Sequence, residues 1–196
     1  MKGRGKKSRF GTLVFLIPIL LVVALVAYAV IETTSLQNGT LVVRAQTSAK
    51  YYPAQTLDVP VSVSGRSGTT PYTLSLTEGT YTVNFPAQRW LVSPSSRTVN
   101  VTGGGTSYVV GTFSPIPVFV SVDQDQFNTT SIEVMHEITP VIWVNPSSNY
   151  QVISSNLTGS LLIPPLQNYT YVFSSHGTFE FSFVGGSSHK LEVTVI

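Results

Sequence analysis

Thiol chemistry is closed to this chain, because none of its 196 residues is cysteine. That removes thiolate nucleophiles, thiolate metal ligands and disulfides together. The remaining residues suited to chemistry are three histidines, His136, His176 and His189, and a handful of acids. His136-Glu137 opens like a zinc-protease motif but lacks the second histidine four residues after the first. Asp123-Gln124-Asp125 lacks the glycine and terminal glutamate of a calcium loop. Gly103-Gly104-Gly105 is not followed by the Lys-Ser/Thr of a phosphate loop, and no serine stands in a Gly-x-Ser-x-Gly elbow. The three histidines are expected as solvated turn residues that do not converge on a metal. No catalytic site, cofactor site or metal site is expected, and the chain is read as a non-enzyme.

What must be positioned, then, is surface rather than chemistry. Five of the eleven basic residues (Lys2, Arg4, Lys6, Lys7 and Arg9) fall in a basic head, residues 1–9. Phe10–Ile31 follows, 22 residues without a charge. As a helix this stretch is roughly 33 Å long, enough to cross a hydrocarbon core of about 30 Å. Basic residues flanking such a span stay cytoplasmic, which sends residues 32–196 outside. The expectation is a signal anchor in a single-pass membrane protein with its N-terminus cytoplasmic. Cleavage near Ala29, after Ala27-Tyr28-Ala29, is the alternative and would release a secreted protein. A pilin-type leader cut after Gly11 lacks the acidic residue expected just inside the mature helix.

Residues 32–37 form a linker, and over residues 32–196 six basic residues face nine acids and leave the body at −3. With no basic patch, nucleic acid is a poor partner. Leu57, Val59, Val61 and Val63 alternate with polar neighbours, as do Leu74 and Leu76, Tyr81, Val83 and Phe85, and Val99 and Val101. This period-2 pattern predicts half-buried strands in an all-β domain over 38–113. Turns are expected at Gly65-Arg66-Ser67-Gly68, Glu78-Gly79 and Gly103–Gly105. Ser114-Pro115-Ile116-Pro117 reads as a stiff linker. Strands then resume at 118–122, 132–134, 141–144, 152–154, 169–174, 179–183 and 191–195. Phe179, Phe181 and Phe183 share one face, and Leu191, Val193 and Val195 another. The fold class is thus an all-β ectodomain of two tandem β-sandwiches, 38–113 and 118–196, on one N-terminal helix.

Two resemblances attach to these motifs. Gly39-Thr-Leu-Val-Val, Val61-Ser-Val-Ser-Gly65 and Gly68-Thr-Thr-Pro71-Tyr-Thr-Leu-Ser-Leu76-Thr-Glu-Gly79-Thr-Tyr-Thr-Val83 resemble the PEGA family of surface β-sandwich modules. The name-giving turn stands here as Thr77-Glu78-Gly79-Thr80, and the resemblance implies a structural or binding module. Val141-Ile-Trp143-Val-Asn145, Tyr169-Thr-Tyr-Val-Phe173, Gly177-Thr-Phe-Glu-Phe181 and Leu191-Glu-Val-Thr-Val195 resemble a cupredoxin in order. By that resemblance the copper-ligand places fall at Tyr150, Phe183, Gly186 and His189, none of which is the family's ligand. The implied domain is a cupredoxin-like scaffold without its copper, with His136 and His176 at the end opposite His189.

Five Asn-x-Thr sequons, Asn38, Asn100, Asn128, Asn156 and Asn168, suit a chain exposed to glycosylation, with Asn38 the weakest because it lies nearest the membrane. Three roles stay open at this point. One is a cell-surface protein that binds an extracytoplasmic protein or envelope glycan. A second is a metal-free accessory subunit of a respiratory membrane complex, and a third is a surface filament subunit.

Overall fold

The computed structural model describes residues 21–23, 25, 37–185 and 188–196. Most of the expected membrane span lies outside these residues; Leu21, Val22, Val23 and Leu25 are helical with exposed side chains. Among the described residues no helix is long and apolar enough to cross a membrane.

The first half is built as the alternation requires. β1 (Asn38–Thr47) turns Leu41, Val43 and Ala45 inward and leaves Arg44 and Gln46 outside. It lies between β4 (Tyr72–Thr77), antiparallel, and β8 (Thr106–Pro115), parallel, with β6 (Leu91–Val92) on the far edge of β8. The facing sheet runs in the order β3 (Arg66–Thr69), β2 (Pro60–Val63), β5 (Gly79–Asn84), β7 (Arg97–Val101), all antiparallel. Leu41, Val43, Val61, Val63, Leu74 and Val83 fill the space between, with Phe85 set edge-on to Phe113 at 5.9 Å. Each such side chain contributes about 1.5–3 kcal/mol on burial. Gly111 on β8 is required by this packing, because a Cβ there would come within 2.6 Å of the Phe85 ring.

Two expectations need correction. The first hairpin turns at Ser64-Gly65, with φ of 45° and 87°, and Arg66, Ser67 and Gly68 belong to β3. A two-residue hairpin wants positive φ at both central residues, which moves the turn one residue earlier than the glycine pair suggested. The expected linker is also shorter. Ser114 and Pro115 continue β8 and pair with Val92 and Leu91, so only Ile116 and Pro117 separate it from the next strand. Pro115 is tolerated because β8 leaves β1 after Phe113, so its missing N–H breaks no ladder on that side.

The second half is another sandwich. One sheet has β10 (Gln126–Phe127), β9 (Val118–Asp123), β12 (Pro140–Val144) and β15 (Asn168–Val172), with β9 and β12 parallel. The other has β11 (Ser131–Val134), β17 (Lys190–Val195), β16 (Gly177–Phe183), β13 (Gln151–Ser155) and β14 (Gly159–Ile163), with β11 and β17 parallel. The seven expected strands are present, and β10 and β14 are additional. β10 is too short to show a period, and Gly159-Ser160-Leu-Leu-Ile has no alternation to read.

The halves are joined by more than the chain. The turn after β11 places Ile138 and Met135 against the core of the first sandwich. Thr139 Oγ1 accepts from the Met135 amide at 3.1 Å and braces that turn. Arg89 Nη1 reaches Glu133 Oε1 at 2.7 Å, and Tyr52 donates its phenol to Glu137 Oε1 at 3.1 Å. The Ile116 amide donates to the Trp90 carbonyl at 2.8 Å.

Candidate functional site

The end of the second sandwich where the resemblance placed copper ligands is organised by one side chain. Asn145, at the end of β12, is 1% exposed. Its Nδ2 lies 2.8–3.0 Å from the carbonyls of Asn149, Ile163 and Pro164. An amide has two N–H bonds, so one is shared between acceptors. Its Oδ1 accepts from the Ser147 amide and hydroxyl at 3.0 and 2.7 Å. One buried residue thereby ties the 145–150 loop to the 163–167 loop.

Tyr150 and Phe183 share this end, and the pairing of Ser182 with Lys190 puts His189 beside them. Gly186 lies outside the described residues. Tyr150 is 62% exposed, whereas Phe183 is 4% exposed and lies against Phe127, ring centroids 4.6 Å apart. Phe127 in turn meets Trp143 at 6.2 Å, and Trp143 meets Phe181 at 4.8 Å. Phe181 continues to Phe173 and Phe173 to Phe179, so a column of rings runs the length of the core.

A blue-copper centre takes two imidazoles, a thiolate and a weak axial thioether. The described places offer a solvent-facing phenol, a ring packed into the core and one imidazole. That donor set does not fit copper, and no step through a metal can be drawn from it. Among the described residues no three of His, Asp and Glu stand close enough together to hold a metal ion.

The histidines are arranged in a way the sequence did not specify. His136 and His176 do converge: their rings stack with centroids 4.2 Å apart and planes inclined by 19°. The His136 amide donates to Ile196 O, at the finish of β17, while His189 precedes its start. Six strand residues separate those places, roughly 20 Å. His189 therefore stands apart from the pair. The stacking joins the turn after β11 to the β15–β16 loop, a meeting forty residues apart in sequence that no local pattern announces.

Tyr52 stands at the junction between the sandwiches, bonded to Glu137. Its phenol is held above the usual range, chiefly by its hydrogen bond to Glu137, then by desolvation and by that carboxylate's charge. Arg89 lies over the Trp90 ring at 4.4 Å while paired with Glu133. Trp90 itself has φ of 67°, and its buried Nε1 has no hydrogen-bond partner. A bulky residue in the left-handed region and an unbonded buried N–H each cost about 1–3 kcal/mol. Neither Arg89 nor Trp90 was singled out by sequence, since Arg89 gains its meaning from Glu133 of the other sandwich and Trp90 from its place under Arg89. All five sequon asparagines, Asn38, Asn100, Asn128, Asn156 and Asn168, are exposed. Asn128 also accepts from the Ser121 amide through Oδ1 at 2.9 Å.

No family model matches the chain, and no curated protein matches it in sequence. Several solved structures are similar. A mutant of amicyanin with Cu(I) is 17% identical, covering 41% of this chain and 82% of its own, with a TM-score of 0.36. A purple cupredoxin from Nitrosopumilus maritimus is 17% identical over 40% of this chain and 99% of its own, TM-score 0.35. The TIE protein of Bacillus anthracis is 14% identical, covering 82% of this chain and 33% of its own, TM-score 0.47. These are likenesses of β architecture alone.

Proposed function

We propose that this chain is a membrane-anchored, non-catalytic protein of the cell surface, whose two joined sandwiches bind or space an extracytoplasmic partner. The observation that carries the reading is the filled end of the second sandwich. Phe183 packs on Phe127 where a copper protein would need a thiolate, so the cupredoxin-like scaffold serves as shape rather than as a redox centre. The PEGA-like reading of the first sandwich, a surface module, agrees with this role. The junction supports it too, because Ile138, Glu133 and Glu137 lock the second sandwich to the first and suit a spacer that must hold its form. The accessory-subunit reading draws on the same filled end, since a metal-free cupredoxin-like domain would suit a respiratory complex as well.

Extraction of the full chain in mild detergent, followed by tagged capture and mass spectrometry, separates the two. Envelope proteins or glycans among the captured material support the surface role. Haem- or quinone-linked subunits would replace it with the accessory role. Copper held at one equivalent by the purified full chain, with strong visible absorption, would overturn both. Exposure of Asn100, Asn128, Asn156 and Asn168 leaves all four open to glycan, and peptide mass spectrometry of native material is expected to find it on at least one.

A further inference from the structure

The junction holds an open cleft of about 360 Å³ whose walls come from both sandwiches. That volume lies in the range of small-ligand sites, which favour the seams between domains. Leu57, Val59, Leu91 and Met135 make its apolar side, and Thr56, Asp58 and Gln88 bring polar groups to it. Arg89 and Trp90 complete the wall, and they are the residues pinned by the ion pair to Glu133, the cation–π contact and the left-handed backbone. Backbone strain on a bulky side chain at a cleft wall points toward use of that side chain.

We infer that this cleft binds a neutral saccharide unit beside Trp90, with the aliphatic wall taking its C–H face and Asp58, Gln88 and Thr56 its hydroxyls. The inference deepens the surface-binding reading and rests on it. The charge on the walls disfavours an anion, because Asp58 faces the space and the Arg89 guanidinium is already answered by Glu133. A peptide strand would need unpaired backbone along the wall. The Leu57 amide is bonded to Ala45 O, the Val59 amide to Thr70 Oγ1 and the Leu91 amide to Gln88 O, so these three donors are already taken. A wholly apolar guest would bury the polar side chains without partners. A pyranose ring answers all three requirements: it is uncharged, its axial face is apolar, and its hydroxyls both donate and accept.

The test titrates detergent-solubilised full chain with cellobiose, maltose and diacetylchitobiose, following tryptophan fluorescence. Trp90 and Trp143 are the only two tryptophans, and Trp143 is 1% exposed, so a ligand at the junction is read through Trp90. At least one disaccharide is expected to give a saturable change, and Asp58→Asn and Gln88→Ala are each expected to weaken it about tenfold with melting unchanged. No saturable change with any of the three up to about 50 mM overturns the inference. So does binding that both substitutions leave intact, or preference for acetyl-leucine amide over every sugar. If the sugars are silent while capture still returns envelope proteins, the saccharide site fails and the surface role stands. If both are silent, the two readings fail together.

Discussion

The two sandwiches solve the same packing problem with different materials. The first is filled mainly by Leu and Val, with two core phenylalanines, Phe85 and Phe113, meeting edge to face. The second also has Val, Ile and Leu in its core but adds a column of rings from Phe183 through Phe127, Trp143, Phe181 and Phe173. Each also uses a buried polar residue to bind a loop to the core. In the first it is Thr70, whose hydroxyl donates to Leu57 O at 2.6 Å and accepts from the Val59 amide at 3.1 Å. In the second it is Asn145, with contacts to both loops at the would-be copper end. The lesson is that an aliphatic core merely closes a sandwich, whereas the aromatic one also occupies the end where a site could have opened.

Breaking the ring column should have the largest effect. Trp143→Ala is expected to lower stability by about 3–5 kcal/mol, because the hole opens among rings that cannot all slide to fill it. Leu41→Met in the aliphatic core should cost less than about 1.5 kcal/mol, because volume is conserved and the thioether is pliable. Urea unfolding of both variants measures the contrast, and equal losses would erase the distinction between the cores.

The polar anchors come next. Asn145→Ala is expected to cost about 2–3 kcal/mol, since it strips partners from the carbonyls of both loops, and Thr70→Val about 1–2 kcal/mol. Hydrogen exchange should show where the damage lies: protection lost near Ser147 and Leu166 in the first variant, and near Leu57 and Val59 in the second. Loss spread evenly over both sandwiches would argue that the two anchors are not local devices.

The smallest effect concerns the contact between the halves. The Tyr52 phenol is raised by its bond to Glu137, so the folded state holds that proton more tightly than the unfolded chain does. Its contribution is therefore complete below the ordinary phenol value of about 10 and is lost as pH rises through the higher folded value. Tyrosinate absorbance, taken as the difference between the parent and Tyr52→Phe, should show this residue titrating late. Glu137→Gln should bring it back toward the ordinary range.

Much of the strand inventory is legible in the chain because side chains alternate faces in a strand, and Val, Leu and Phe mark the buried one. That is why Phe179–Phe183 and Leu191–Val195 read correctly from residue type alone, whereas of Leu57–Val63 only Pro60–Val63 is strand and Leu57 and Val59 are buried in the irregular segment before it. Sheet partners are a different matter. β1 pairs in parallel with β8 and β11 with β17 across more than fifty residues, and nothing local encodes such a choice. The candidate site divides in the same way. Absence of cysteine excludes a thiolate site from sequence alone, and the cupredoxin resemblance placed Tyr150, Phe183 and His189 at one end. The aromatic filling between them, the stacked His136 and His176, and the Arg89–Trp90 wall needed three dimensions.

By itself the sequence determined the strand periodicity, the segregation of charge into a basic head and a mildly acidic body, and the chemistry the chain lacks. Those are properties of residue type and spacing, and they survive whatever the chain folds into. Tertiary structure alone decided which strands are neighbours, that Phe183 spends its ring on Phe127, and that two sandwiches share a walled cleft. Contacts of that kind arise when distant segments compete to bury the same surface, and the outcome depends on the whole core at once.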